Sequence, residues 1–125
     1  MPGRRQQLGS AGEEAAIRYL QAQGYRILER NYRCRFGEID LIARDGAVLA
    51  FIEVKTRRSH AFGSPALAVT PRKQRHIVKV SQWYLARQGE TRQVCRFDVV
   101  TVEMERDHPR IEIIKNAFQA TAGLD

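Results

Sequence analysis

Cysteine, histidine and long apolar runs are scarce in this 125-residue chain, and each scarcity removes a class of protein. The two cysteines, Cys34 and Cys95, stand far apart with no CxxC spacing, which excludes a disulfide-stapled scaffold and reads as two reduced thiols. His60, His76 and His108 fall in three separate segments without ligand spacing, so no zinc site is expected. The longest uninterrupted apolar run, Ala47 to Ile52, is far below the ~20 residues a helix needs to span a bilayer. There is no Walker loop, no GxGxxG fingerprint and no Ser, His and Asp arrangement with triad logic. The start, Met1-Pro2-Gly3-Arg4-Arg5-Gln6-Gln7, lacks an apolar stretch behind its arginines, so no secretory signal is read and a soluble cytoplasmic protein is expected.

Positive charge is what the chain has in quantity. Twenty-one Lys and Arg against 14 Asp and Glu leave a net charge of +7, and arginine outnumbers lysine. Such a surface attracts polyanions, and the arginine fork suits bidentate phosphate contacts, so nucleic acid is the leading partner class. Hydrophobic residues at 43% suffice for one compact core, which excludes a disordered chain.

Periodicity gives the elements. Residues 1–8 form a polar basic arm without pattern. A helix is expected from Ser10 to Gln23, with Ala15, Ala16, Tyr19 and Leu20 as its apolar stripe and Gly24 ending it. Strands follow at Tyr25–Tyr32, Glu38–Ala43 and Val48–Lys55, the last two joined by an Asp45-Gly46 hairpin turn. Thr56 to Thr70 reads as a loop, and Pro71 opens a second helix to about Gln88. Val94–Met104 and Ile111–Ile114 complete an α-β-β-β-α-β-β order: one α/β domain over residues 9–118 with a central mixed sheet, and a tail at 119–125. Trp83, Tyr84 and Phe97 are expected in the core, and no exposed aromatic cluster suggests a stacking platform.

The hairpin concentrates the chemistry. With Asp45-Gly46 as its turn, Glu38 faces Glu53, and Asp40 lies diagonal to Glu53 with Cα atoms ~7–8 Å apart. Alternation puts Glu38, Asp40, Glu53 and Lys55 on one face. Three carboxylates gathered there repel one another unless a counter-charge intervenes, and a hard cation such as Mg²⁺ supplies one. Lys55 beside it serves as a point charge or proton-transfer group. The alternative is a pair of solvated edge carboxylates, one of them paired with Lys55. Glu13 lies three and seven residues before Ala16 and Leu20, so it borders the apolar stripe and points toward the sheet. Its alternative role is in a capping box that begins at Ser10.

These residues carry a resemblance. Gly37-Glu38-Ile39-Asp40-Leu41-Ile42-Ala43 followed by Phe51-Ile52-Glu53-Val54-Lys55-Thr56-Arg57 resembles the YraN family of small bacterial endonuclease-like proteins. Gly12-Glu13-Glu14-Ala15-Ala16, Asn31-Tyr32-Arg33 and Arg96-Phe97-Asp98-Val99-Val100 support it. That family is similar to the PD-(D/E)xK nuclease superfamily, particularly archaeal Holliday-junction resolvases. The resemblance implies a restriction-endonuclease-like fold, a mixed sheet flanked by helices, and Mg²⁺- or Mn²⁺-dependent hydrolysis of DNA phosphodiesters in branched, recombination or repair DNA. It implies Asp40 and Glu53 as metal ligands with the Val54 carbonyl, Lys55 and Glu13 as further catalytic residues, and Glu38 in a supporting position. Ile39 stands where the superfamily has its proline, which is not a ligand. Backbone contacts are expected from Arg33, Arg35, Arg57, Arg58, Arg72, Lys73 and Arg75. Resolvase-like relatives act as homodimers, the assembly that two cuts on a four-way junction require. The other class of reading is a nucleic-acid-binding module on a nuclease fold that cuts nothing, and a third is an adaptor for an acidic protein partner.

Overall fold

The structure, a computed structural model, describes residues 4–57, 69–89, 93–104 and 108–120, with the backbone alone over 4–10. Its elements run α1 (Arg4–Ala22), β1 (Arg26–Cys34), β2 (Gly37–Asp45), β3 (Val48–Arg57), α2 (Pro71–Gln88), β4 (Cys95–Met104) and β5 (Pro109–Phe118). This is the expected α/β order. The strands form one five-stranded sheet in chain order, antiparallel throughout except for the parallel β3–β4 pair. A parallel pair needs a crossover, and α2 lies within it.

Two apolar layers hold the sheet. On one side Ala16, Ile17 and Leu20 of α1 pack with Leu41, Ala43, Ala50, Ile52, Val100 and Val102. On the other, Ile77, Val78, Val80 and Tyr84 of α2 pack with Ile42, Leu49, Phe51, Phe97 and Val99. Phe51 stacks on Phe97, and Phe97 on Phe118, at 5.7 and 5.0 Å between ring centres. The face of α1 is rotated from the expected stripe: Tyr19 is exposed, while Ile17 is buried. Helix α2 matches its expected bounds because the signals are local: Thr70 caps it by accepting from the Lys73 amide, Pro71 starts it, and Gly89 at φ 73° ends it.

Four expectations change. Helix α1 begins at Arg4, inside the segment read as a basic arm, since Arg, Gln and Leu are good helix formers even without an apolar pattern. Ser10 therefore lies inside the helix, and the capping box with Glu13 does not exist. The hairpin turn is Gly46-Ala47, with Asp45 opposite Val48, so β2 slides two residues along β3 from the expected pairing. Gly46 at φ 61° takes the first turn position, and Asp45 stays in the strand, where Arg96 and Lys115 bond its carboxylate at 2.8 and 3.1 Å. The last strand reaches Phe118, with Asn116 at φ 55° donating its amide to Asp98 at 2.9 Å.

Asp98 explains the Arg96-Phe97-Asp98 string. Its buried carboxylate accepts from Arg96 Nε at 2.8 Å, from Tyr25 Oη at 3.2 Å and from the Asn116 amide. Arg96 also reaches Asp45, whose carboxyl it holds below the usual range. This network ties β2, β4, β5 and the α1–β1 connection together at the Asp45 end of the hairpin.

Gly12 fixes how closely α1 sits on β3. A Cβ there would lie 2.2 Å from Thr56 Oγ1 and 2.8 Å from its Cγ2. Overpacking of this kind costs about 1–3 kcal/mol. Gly12→Ala is expected to lower the unfolding free energy in urea titrations by that amount, seen as a lower midpoint, and adding Thr56→Ala is expected to restore most of the loss. An unchanged midpoint in the single variant would show that the helix is free to shift.

Candidate active site

The third turn of α1, the first half of β2 and the second half of β3 meet at the end of the sheet opposite Asp45. On β2, Ile39 packs under α2 while Leu41, two residues on, packs under α1. Strict alternation would place both on one face, so the strand twists between them, at Asp40. Its neighbour β1 twists with it: Arg30 pairs with Leu41 and Tyr32 with Ile39, and Asn31 between them has φ 52°. The break lets Asp40 interact with groups on both helices, Glu13 of α1 and Lys73 of α2.

The shifted register brings Asp40 and Glu53 together. The ladder between β2 and β3 runs from Asp45–Val48 to Leu41–Ile52, and the next positions are Asp40 and Glu53. They are adjacent rather than diagonal, and their carboxyl groups share a hydrogen bond. The Val54 amide donates to Asp40 Oδ2 at 2.8 Å, so the carboxylate replaces a strand acceptor. Glu53 is only 5% exposed, yet its Oε1 has two ammonium neighbours: Lys73 at 3.3 Å and Lys55 at 3.6 Å.

Burial dominates the electrostatics. It raises the proton affinity of Asp40, which the Val54 amide partly opposes. Burial, then the Asp40 charge, push Glu53 up to about 7 despite Lys73 and Lys55. Below neutrality Glu53 therefore carries the shared proton and donates to Asp40. Glu13 is also raised, first by burial and then by Asp40.

The other expected residues divide. Glu13 borders the pair, with its carboxylate bonded by Asn31 at 3.1 Å. Glu38 does not face Glu53; the slid register moves it away, and Arg33 bonds it at the surface at 2.9 Å. Arg35 lies over the Phe36 ring, and Arg72 and Arg75 are exposed on α2. Arg57 is half-buried on β3. Arg58 and His60 lie outside the described residues. Lys73, expected on a substrate backbone, contacts Glu53. Two contributors were missed, Asn31 and the Lys73 role; only Asn31, a residue that tolerates left-handed φ in mid-strand, carried a signal.

Among the described residues, no three His, Cys, Asp or Glu side chains converge enough to hold an ion by themselves. The donors present are two carboxyls with hard oxygens, one half-buried and one buried, and they fit Mg²⁺, which is commonly held by one or two carboxylates with water and phosphate supplying the rest. A cation would also relieve the repulsion that now keeps a proton between them.

That proton sets the pH response of the metal-free chain. Glu53 titrates near 7 when folded against an ordinary value of 4.5, so the folded state binds more protons between them. Its contribution, which also involves Asp40, Glu13, Lys55 and Lys73, is full below pH 4.5 and is lost as pH rises through 7. The stability difference between wild type and Glu53→Gln is therefore expected to fall between about pH 5 and pH 8 in urea titrations. A difference that stays flat or grows would contradict the burial of a shared proton.

The model of the family described as "Uncharacterised protein family UPF0102" matches residues 12–102, from Gly12 to the end of the β4 core. A UPF0102 protein of Syntrophus aciditrophicus is 53% identical over 115 residues, spanning 92% of this chain and 91% of its own. The UPF0102 protein STH1475 of Symbiobacterium thermophilum is 54% identical over 114 residues, 90% of this chain and 97% of its own. One from Geobacter metallireducens is 51% identical over 112 residues, 90% of this chain and 92% of its own. The chain belongs to the uncharacterised protein family UPF0102, the YraN-like group of endonuclease-like proteins.

Proposed function

We propose that this chain is a divalent-metal-dependent endonuclease that hydrolyses phosphodiester bonds in DNA, with branched or recombination and repair DNA as its substrate class. The observation that carries the reading is the pairing of two acids, the half-buried Asp40 and the buried Glu53, beside Lys55 in a chain of net charge +7. A pair of like charges is a costly thing to keep in a fold that has no structural need of it.

Asp40 and Glu53 would hold Mg²⁺ or Mn²⁺, with the Val54 carbonyl beside them. Bound there, the ion lowers the pKa of water and neutralises charge building on the phosphate. Lys55 orients the attacking water and helps remove its proton. Glu13, tethered by Asn31, accepts a hydrogen bond on the α1 side of that water. Arg33, Arg35, Arg57, Arg58, Arg72 and Arg75 contact the phosphate backbone, and the charge of Lys73 passes from Glu53 to substrate. Two such chains as a homodimer would deliver the paired cuts a junction needs.

A second reading, a binding module that cuts nothing, is favoured by one observation: Lys55 and Lys73 already supply two cations to Glu53. Cleavage of branched, nicked and single-stranded DNA by the purified chain separates the two. Activity with Mg²⁺ or Mn²⁺ is expected, abolished by chelation. Asp40→Asn, Glu53→Gln and Lys55→Met are each expected to lower the rate by about 10²-fold or more. Full cleavage in Glu53→Gln or Lys55→Met would overturn the assignment. Salt-dependent binding without any metal-dependent cleavage would favour the module.

A further inference from the structure

The turn between β1 and β2 is built from residues that do not make turns well. Cys34 pairs with Gly37, leaving Arg35 and Phe36 as the two central residues, where Gly, Asn or Asp would be ordinary. Phe36 is 40% exposed. Its ring meets the edge of Trp83 on α2, at 5.7 Å between centres and 68° between planes. Trp83 is half-buried and hydrogen-bonded to Tyr32, so the pair is fixed rather than loose. The expectation that no ring cluster reaches the surface is therefore corrected: Tyr84 and Phe97 are core, but Trp83 supports an exposed Phe36.

The charges around the rings have one sign. Arg35 lies 5.3 Å from the centre of the Phe36 ring, and Arg87 lies 5.3 Å from that of Trp83. Helix α2 contains no acidic residue. Arg72, His76, Lys79, Trp83 and Arg87 follow at spacings of four, three, four and four, which is a single row along the helix. That row begins beside Lys73, which touches Glu53, and ends at the aromatic pair. Ten residues of helix from Lys73 to Trp83 span ~15 Å. Four residues of strand from Asp40 to Phe36 span ~13 Å. Both routes give one distance between the carboxyl pair and the ring.

We propose that Phe36, backed by Trp83, is a stacking site for an unpaired nucleobase, so that the substrate carries a single-stranded or splayed segment next to the bond cut at Asp40 and Glu53. The proposal rests on the nucleic-acid reading above and specifies its substrate. A part-exposed ring with a guanidinium over it matches a base that stacks on Phe36 in place of Arg35, while Arg35 turns to that base's own phosphate. An apolar protein partner would instead have to bury those arginines. At the stacked spacing of 3.4 Å per nucleotide, ~13–15 Å corresponds to about four nucleotides between stacked base and cut.

Trp83 is the chain's single tryptophan, so it reports on this site without a label. The full chain in chelator is titrated with an oligothymidine single strand and with a blunt duplex of equal length, following Trp83 emission and the anisotropy of end-labelled DNA. The single strand is expected to quench Trp83. Phe36→Ala and Phe36→Leu are expected to weaken single-strand binding about five- to a hundredfold relative to the duplex. Phe36→Tyr, which keeps a stacking face, is expected to bind within about twofold of wild type. Circular dichroism of each variant establishes that it is folded. If wild type binds DNA but Phe36→Leu matches it, or if both DNAs weaken equally, the stacking site is wrong while the nucleic-acid reading stands. If wild type binds neither DNA at low salt, both fall.

Discussion

Two acids that repel each other are held side by side at the end of the sheet. Asp40 and Glu53 occupy adjacent positions on neighbouring strands, the first half-buried and the second buried, and the chain tolerates them by keeping a proton between them and two lysines beside them. Much of the surrounding architecture serves this proximity. The Val54 amide turns from the ladder to Asp40, Asn31 takes a left-handed conformation that bends β1 at the same level, and Gly12 lets α1 press onto Thr56. Each of these is a local departure from regular structure, and all of them lie around one point.

The opposite end of the sheet behaves differently. There Asp98, Asp45, Arg96, Tyr25 and Lys115 satisfy one another, with opposite charges in contact and four donors on a single buried carboxylate. A network closed in this way rigidifies and has nothing left over for a ligand. The contrast assigns the two groups of polar strings in the sequence different work. Arg96 and Asp98 brace the fold, whereas Asp40 and Glu53 keep a mutual repulsion that a shared proton and two lysines only offset.

Most of the fold was legible because its signals are local. Pro71 and Gly89 bound α2, apolar runs mark β3 and β4, and the parallel pair follows from a helix lying between two strands. The site was legible in composition but not in register. Asp45-Gly46 is a strong turn pair, yet Asp45 is engaged by Arg96, more than fifty positions away, and such a contact leaves no trace in hairpin periodicity. The resulting slide of two residues preserves which face each side chain takes, so Asp40, Glu53 and Lys55 were still gathered, but it replaces Glu38 with Asp40 as the neighbour of Glu53. The contact of Lys73 with Glu53 was not legible for a similar reason: a lysine among arginines on a helix reads as surface charge until the helix start is seen against the sheet.

Anomalous scattering from a crystal of the chain soaked in Mn²⁺ tests the central claim most directly. The account predicts a peak at about 2.0–2.6 Å from an oxygen of both Asp40 and Glu53, with the Lys73 ammonium displaced from Glu53. Saturating Mn²⁺ with no peak between the two carboxylates, and Lys73 still seated on Glu53, would contradict it.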